Sequence, residues 1–148
     1  MLAILPFVFI SCSKDDNGDG NSEKFIGLWA LLDYYYDELL VDEMWEFKED
    51  GTFIYMDDSR DNIEFKDGCV YNYGSFRQKV AGTYSVKGDI ITLKAKDELF
   101  YLEFEYDFYD DDQIKIHQVY GWEVEDGEKV EVEPEEEFII IHRVKKLM

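Results

Sequence analysis

The chain has 148 residues, of which 35 are acidic and 15 are basic, and its formal net charge is -20. That length fits one domain, and a hydrophobic share of 46% is too high for a disordered acidic tail. The charge excludes a Lys/Arg surface for nucleic acid or for anionic lipid headgroups. The 2 cysteines exclude a disulfide scaffold and a thiolate zinc cluster. Composition therefore leaves an acidic, aromatic-rich globular domain.

Residues 1–11 predict a secretory signal peptide. Met1 to Ile10 is an uncharged apolar run, shorter than the ~20 residues that a membrane-spanning helix needs, and it suits the apolar region of a signal. No Lys or Arg precedes this run, so we expect the signal to start upstream of Met1. The alternative is a buried first strand with a structural cysteine.

The end of the apolar run carries a resemblance. Phe9-Ile10-Ser11-Cys12 resembles the lipobox of bacterial lipoproteins, in which the peptide is cleaved before the cysteine and the thiol is acylated. The resemblance implies that Cys12 is the lipidation site and that the membrane is a partner through this lipid. Each buried CH₂ contributes ~0.8 kcal/mol, so several acyl chains on one residue anchor a protein stably.

Residues 12–24 predict a flexible acidic tether, because the stretch after the cysteine lacks apolar residues. Its start resembles the export signal of surface-exposed lipoproteins of the Bacteroidota, and the residues concerned are Ser13, Lys14, Asp15 and Asp16. The resemblance implies an outer-membrane location facing outward; the periplasmic face is the alternative. The tether also fits part of a calcium loop, with Asp15, Asn17 and Asp19 at alternate positions before Gly20, but Ile26 stands where that loop needs a bidentate Glu.

From residue 25 onward apolar and polar residues alternate, which predicts an antiparallel β meander without helices. Asp50-Gly51 and Gly88-Asp89 predict two hairpins, and segments 57–79 and 121–137 are less regular, the second as a protruding hairpin. The predicted strands are 27–36, 44–48, 52–56, 82–86, 90–93, 99–108, 114–120 and 138–144. Because closure removes exposed sheet edges, residues 25–148 predict a single all-β, antiparallel up-and-down barrel of about eight strands.

Three motifs carry a second resemblance. Gly27-Leu28-Trp29, Phe47 to Phe53, and Gly82 to Leu93 are similar, in order and spacing, to lipocalin-like domains of Bacteroidota lipoproteins. The resemblance implies an eight-stranded barrel whose base motif is Gly27 and Trp29, with the indole packed across the closed end.

The sequence contains no catalytic constellation, so we expect a protein that is not an enzyme and takes no cofactor or metal. His117 and His142 lie in different predicted strands, and a zinc site needs further ligands. Cys69 has no neighbouring His to activate it, and we expect a plain thiol. Asp110-Asp111-Asp112 either caps a turn or holds calcium, and as a cap it needs no ion.

The aromatic residues are in excess, at 17% of the chain. They suit strand faces, but an inward set could line an apolar cavity and an outward set could stack on sugars. The candidate ligand-binding residues are Tyr34, Tyr36, Phe104, Tyr106 and Tyr120. We therefore expect a small apolar or amphipathic ligand in the barrel; the alternative is a cell-surface interaction or structural module with a packed barrel.

Overall fold

The computed structural model describes residues 21–35, 38–57, 63–73, 76 and 78–148. Almost all of its regular structure is β. In chain order the elements are α1 (Ser22–Phe25), β1 (Gly27–Tyr35), β2 (Glu38–Phe47), β3 (Thr52–Asp57), β4 (Glu64–Lys66), β5 (Cys69–Tyr71), β6 (Gln78–Lys87), β7 (Ile90–Ala95), β8 (Phe100–Asp110), β9 (Gln113–Glu125), β10 (Glu128–Glu131), β11 (Ile139–Val144) and β12 (Lys146–Leu147).

Eight of these strands close into an antiparallel barrel, as predicted. Strands β1, β2, β3, β6, β7, β8, β9 and β11 each pair with the next in chain order, and β11 pairs back with β1. At the closure, Trp29 of β1 lies opposite Trp45 on one side and opposite Arg143 on the other. The two predicted hairpins are present between β2 and β3 and between β6 and β7.

The barrel interior holds the main hydrophobic core. Successive side chains of a strand point to opposite faces, so every second residue of β8 enters this core, from Phe100 to Phe108, as the alternation predicted. Buried aliphatic residues of β7, β9 and β11 meet them from the other walls.

A second core lies on the outside of the barrel wall. Strands β4, β5 and β12, with Ile63 and Phe76, cover the outer faces of β1, β2 and β3. The fully buried residues there include Met44, Met56 and Val70. Within the described part of segment 57–79, which was predicted to be irregular, two short strands therefore form a packed cover.

The closed end is sealed by a feature that the alternation did not predict, the four-residue helix α1. Phe25 of this helix is fully buried, and the indole Nε1 of Trp29 donates to its carbonyl oxygen at 2.7 Å. The guanidinium of Arg143 donates from Nη1 to Ile26 O at 3.1 Å and from Nη2 to Lys24 O at 2.9 Å. This one turn lies at the end of the stretch predicted as a tether, before the alternating region, and tertiary contacts stabilise it.

Gly27 fits this base because of its backbone. Its φ is +125°, and a Cβ there would lie 3.1 Å from Nη1 of Arg143. A side chain would be strained by the dihedral and would crowd the guanidinium. Glycine is therefore required at position 27 by the positive φ and by the closeness of the Arg143 guanidinium.

Three strands are longer than predicted by several residues. Strand β2 begins at Glu38 rather than at Met44, β6 begins at Gln78 rather than at Gly82, and β9 continues to Glu125. The extension of β9 pairs with β10 and forms the protruding hairpin that segment 121–137 predicted. The register of β9 against β8 shifts between Glu103 and Phe104, so Val119 is an extra residue in the ladder.

Candidate functional site

The barrel is packed at its closed end and hollow toward its open end. Near Phe25 and Phe47 the interior leaves a void of about 10 Å³. Toward the open end a cavity of about 240 Å³ lies between β2, β3, β8 and β9. The residues that line it are Leu31, Glu43, Trp45, Tyr55, Phe100, Leu102, Phe104, Ile116, Gln118, Glu123, Glu135 and Ile139. Its walls are therefore mainly apolar and aromatic, with a few polar groups.

A carboxyl group and a phenol meet on one wall of the cavity. Glu43 of β2 and Tyr55 of β3 form a side-chain hydrogen bond, in which the phenol donates to the carboxylate. Burial raises the pKa of Glu43 to about 7, against the lowering effect of that bond, and Asp42, Asp57 and Glu135 add to the rise. Burial and the adjacent Glu43 raise the pKa of the Tyr55 hydroxyl.

Two buried donors on the cavity walls lack a hydrogen-bond acceptor. Trp45 and Gln118 are each only 7% exposed. Among the described residues, neither the indole Nε1 of Trp45 nor the amide Nε2 of Gln118 has a partner. The Trp45 ring packs 4.8 Å from that of Tyr55 and 6.2 Å from that of Phe104. An unpaired buried donor costs about 1–3 kcal/mol, and both donor atoms are enclosed by protein and not exposed to the cavity.

Acidic groups surround the mouth of the cavity. Glu123 reaches it from the end of β9, and Glu135 from the segment between β10 and β11. His117 of β9 holds this segment, because its Nε2 contacts the carbonyl oxygen of Glu135 and its ring lies 4.8 Å from that of Phe138. None of the described lining residues is Lys or Arg.

The fold places the predicted ligand-binding residues in different parts of the barrel. Phe104 lines the cavity. Tyr106 lies toward the closed end, where its hydroxyl donates to Gly88 O at 2.6 Å. Tyr120 is on the outer wall and is 45% exposed. The side chain of Tyr34 and the whole of Tyr36 lie outside the described residues.

The sequence did not lead us to predict Gln118 and Glu43 as members of the site, although their spacing from neighbouring apolar residues indicates inward positions. Gln118 follows Ile114 and Ile116 at the same spacing of two, and Glu43 precedes Trp45 and Phe47 in the same way. A polar residue on an otherwise apolar face of a strand is a mark of a lumen that is not filled.

The other chemically reactive residues are apart from one another. His117 and His142 lie on neighbouring strands, but His142 is opposite Gln113 and its ring lies 6.0 Å from that of Phe65. Cys69 is a half-buried free thiol in β5. In the described parts of the chain, no three His, Cys, Asp or Glu side chains converge as a metal site.

The acidic turn between β8 and β9 acts as a cap. The Asp110 carboxylate accepts a 2.8 Å hydrogen bond from the backbone N–H of Asp112. The Asp112 carboxylate in turn lies 3.0 Å from Lys145 Nζ and 3.8 Å from Arg143 Nε.

The predicted signal peptide, Cys12 and Ser13 to Asp16 lie outside the described residues. Within residues that are described, no helix has the length and apolar character needed to cross a bilayer. Comparison with models of known protein families and with curated proteins finds no match to this chain.

Proposed function

We propose that the protein is a lipid-anchored outer-membrane protein, surface-exposed, whose lipocalin-like barrel binds a small amphipathic ligand in the open-end cavity. The observation that carries this proposal is the open-end cavity itself, whose walls are mainly apolar and aromatic with a few polar groups. The ring and aliphatic walls take an apolar body, and the polar groups orient the polar end of the ligand.

The size of the cavity limits the ligand. At about 240 Å³ it lies below the ~300–1,000 Å³ that is usual for drug-sized ligands. A chain of a few carbons with one polar end fits such a space, whereas a long fatty acid or a retinoid-sized molecule does not. The volume of the cavity therefore restricts the proposed ligands to small molecules.

The experiment that tests this role uses a neutral probe, the vicinal hexanediol, and measures binding by calorimetry. Ile139→Trp places an indole in the cavity, while Ile140→Trp, the next residue of β11, places it on the outer face. We expect binding by the unchanged protein and by Ile140→Trp, and none by Ile139→Trp. Binding that survives Ile139→Trp, or no binding by any form, contradicts the proposal. Mass spectrometry of extracted protein then identifies the natural ligand.

A second candidate function is a cell-surface interaction module, and an aromatic patch favours it. On the outer wall of β8 and β9 the rings of Tyr101 and Trp122 stack at 6.3 Å, and Tyr120 lies 6.1 Å from Tyr101. Lys129 Nζ of β10 sits 4.1 Å from the centre of the Trp122 ring. If this module is correct, Trp122→Ala loses an outer-membrane partner that Ile139→Trp retains. Recovery of no partner by any form contradicts it.

A further inference from the structure

The cavity is acidic as well as amphipathic, and this property narrows the ligand class. Three of its lining residues are carboxylic acids, Glu43, Glu123 and Glu135, and no described lining residue is a cation. The whole chain carries a net charge of -20, which attracts cations and repels anions before contact. A ligand with a carboxylate head would meet like charge at long range and again inside the site.

The position of Glu43 is that of a counter-ion. It is half-buried and lines the cavity together with Trp45 and Tyr55, whose ring centroids are 4.8 Å apart. Aromatic faces next to a carboxylate form the environment that binds ammonium groups, by cation–π attraction and by ion pairing. The Tyr55 hydrogen bond holds the carboxyl group in place.

We propose that the natural ligand is a short-chain amphiphile whose polar end carries a protonated amine, with Glu43 as the counter-ion of the amine. This inference rests on the proposed binding function and adds the charge of the ligand. The apolar chain lies against Leu102, Phe104 and Ile116.

Binding of such a ligand depends on pH through Glu43. Groups that act on its carboxyl are Tyr55 and Asp57 of β3, Asp42 of its own strand and Glu135 at the mouth, and Glu123 shares the cavity. Because burial raises the pKa of Glu43 to about 7, the group is neutral in mild acid and charged above neutrality. Affinity for the amine therefore rises with pH across this range, and in mild acid the binding of the amine displaces the proton of Glu43 into solvent.

The test compares three probes that share a six-carbon chain and one hydroxyl group. They are the vicinal aminohexanol, which is a cation, the vicinal hexanediol, which is neutral, and alpha-hydroxyhexanoate, which is an anion. At about pH 8 we expect the aminohexanol to bind at least ~10-fold more tightly than the diol, and the hydroxy acid more weakly than the diol. At about pH 5.5 the preference for the amine shrinks toward the diol level.

Glu43→Gln keeps the shape of the side chain and removes its charge. In this variant we expect the aminohexanol affinity to fall ~10-fold, to the level of the diol, and its pH dependence to disappear. The variant still binds the diol, which reports an intact cavity. Glu128→Gln, an exposed residue of β10, is the matched control and should bind all three probes as the unchanged protein does.

Each other outcome has a defined meaning. If the diol binds and the amine binds no better, the barrel binds ligands but the cationic class is wrong. Tightest binding of the hydroxy acid, or an unchanged amine preference in Glu43→Gln, also overturns the cationic class. If none of the probes binds, the proposed binding function fails together with this inference.

Discussion

The guanidinium carbon of Arg143 lies 4.2 Å from the centre of the Trp29 ring, so the first and last strands of the barrel are joined by a cation–π contact. The same guanidinium donates to backbone carbonyls of Lys24, Ile26 and Asp111. One side chain thus ties the entry helix, the β8–β9 turn and the barrel wall together around the base motif.

Arg143→Lys is expected to lower the free energy of unfolding by about 3 kcal/mol. The ammonium group keeps the charge but cannot make the three directed hydrogen bonds of the planar fork, and hydrogen bonds to charged groups contribute about 1.5–3 kcal/mol each. Urea unfolding followed by Trp fluorescence measures this change. Lys96→Ala, at an exposed turn, serves as control and should shift stability by less than about 0.5 kcal/mol. A similarly small change in Arg143→Lys would contradict this role.

Glu43→Gln is expected to stabilise the protein in a pH-dependent way. The pKa of Glu43 in the folded state, about 7, lies above the ordinary value of 4.5, so folding favours the protonated form. Stability of the unchanged protein therefore falls as pH rises from the ordinary pKa through the folded pKa. At ~1.4 kcal/mol per pKa unit, reduced for residual solvent contact, the variant gains ~2 kcal/mol between mild acid and about pH 8.

Thermal unfolding over this pH range measures the gain. Glu128→Gln removes an equal charge from an exposed hairpin and is the comparison. A Glu43→Gln stability difference that stays constant with pH would show that the carboxyl group is solvated.

Gly82→Ala is expected to destabilise the barrel strongly. A Cβ at this position would lie 2.1 Å from the carbonyl oxygen of Lys94 and 2.6 Å from the Phe53 ring. The backbone of β7 cannot retreat without breaking the ladder between β6 and β7, so we expect a loss of at least ~3 kcal/mol. Ser85→Ala, exposed on the same strand, is the control for chemical denaturation. Equal denaturation midpoints for Gly82→Ala and Ser85→Ala would contradict the close packing of Lys94 and Phe53 against Gly82.

Cys12→Ala is expected to move the protein from the membrane fraction to the soluble fraction. The lipid on this residue is proposed as the anchor, and loss of the acyl chains removes its binding free energy. Cell fractionation with an antibody reads out the change, and Cys69→Ala is the control that stays with the membrane. A Cys12→Ala protein that still sediments with membranes rules out lipid attachment at this residue.

Much of the barrel could be predicted because a period of two is a local signal. The alternation in β8 and the two hairpins appear within ten-residue windows of the sequence. The outer cover could not be predicted in this way, since Cys69 pairs with Lys146 across most of the chain. Such pairings depend on tertiary contacts that no short window contains.

The position of Tyr120 explains how one candidate ligand residue came to lie outside the lumen. By strict alternation from Ile114, Tyr120 points inward, but the extra residue Val119 reverses the faces of β9. Glu123 then faces the cavity, while Tyr120 and Trp122 face out. A single bulge therefore decides which side chains a ligand meets, and the sequence pattern contains no mark of it.

Because the outer cover packs against only one side of the barrel, we expect the frequency of local unfolding to differ between its two sides. Strands β1 to β3 are packed on both faces, whereas the outward residues of β6 and β7, such as Thr83, Ser85 and Lys94, meet solvent. Amide hydrogens of β7 should therefore exchange with deuterium sooner than those of β2, as mass spectrometry would measure. We therefore expect local opening of the barrel wall to be more frequent on the side of β6 and β7.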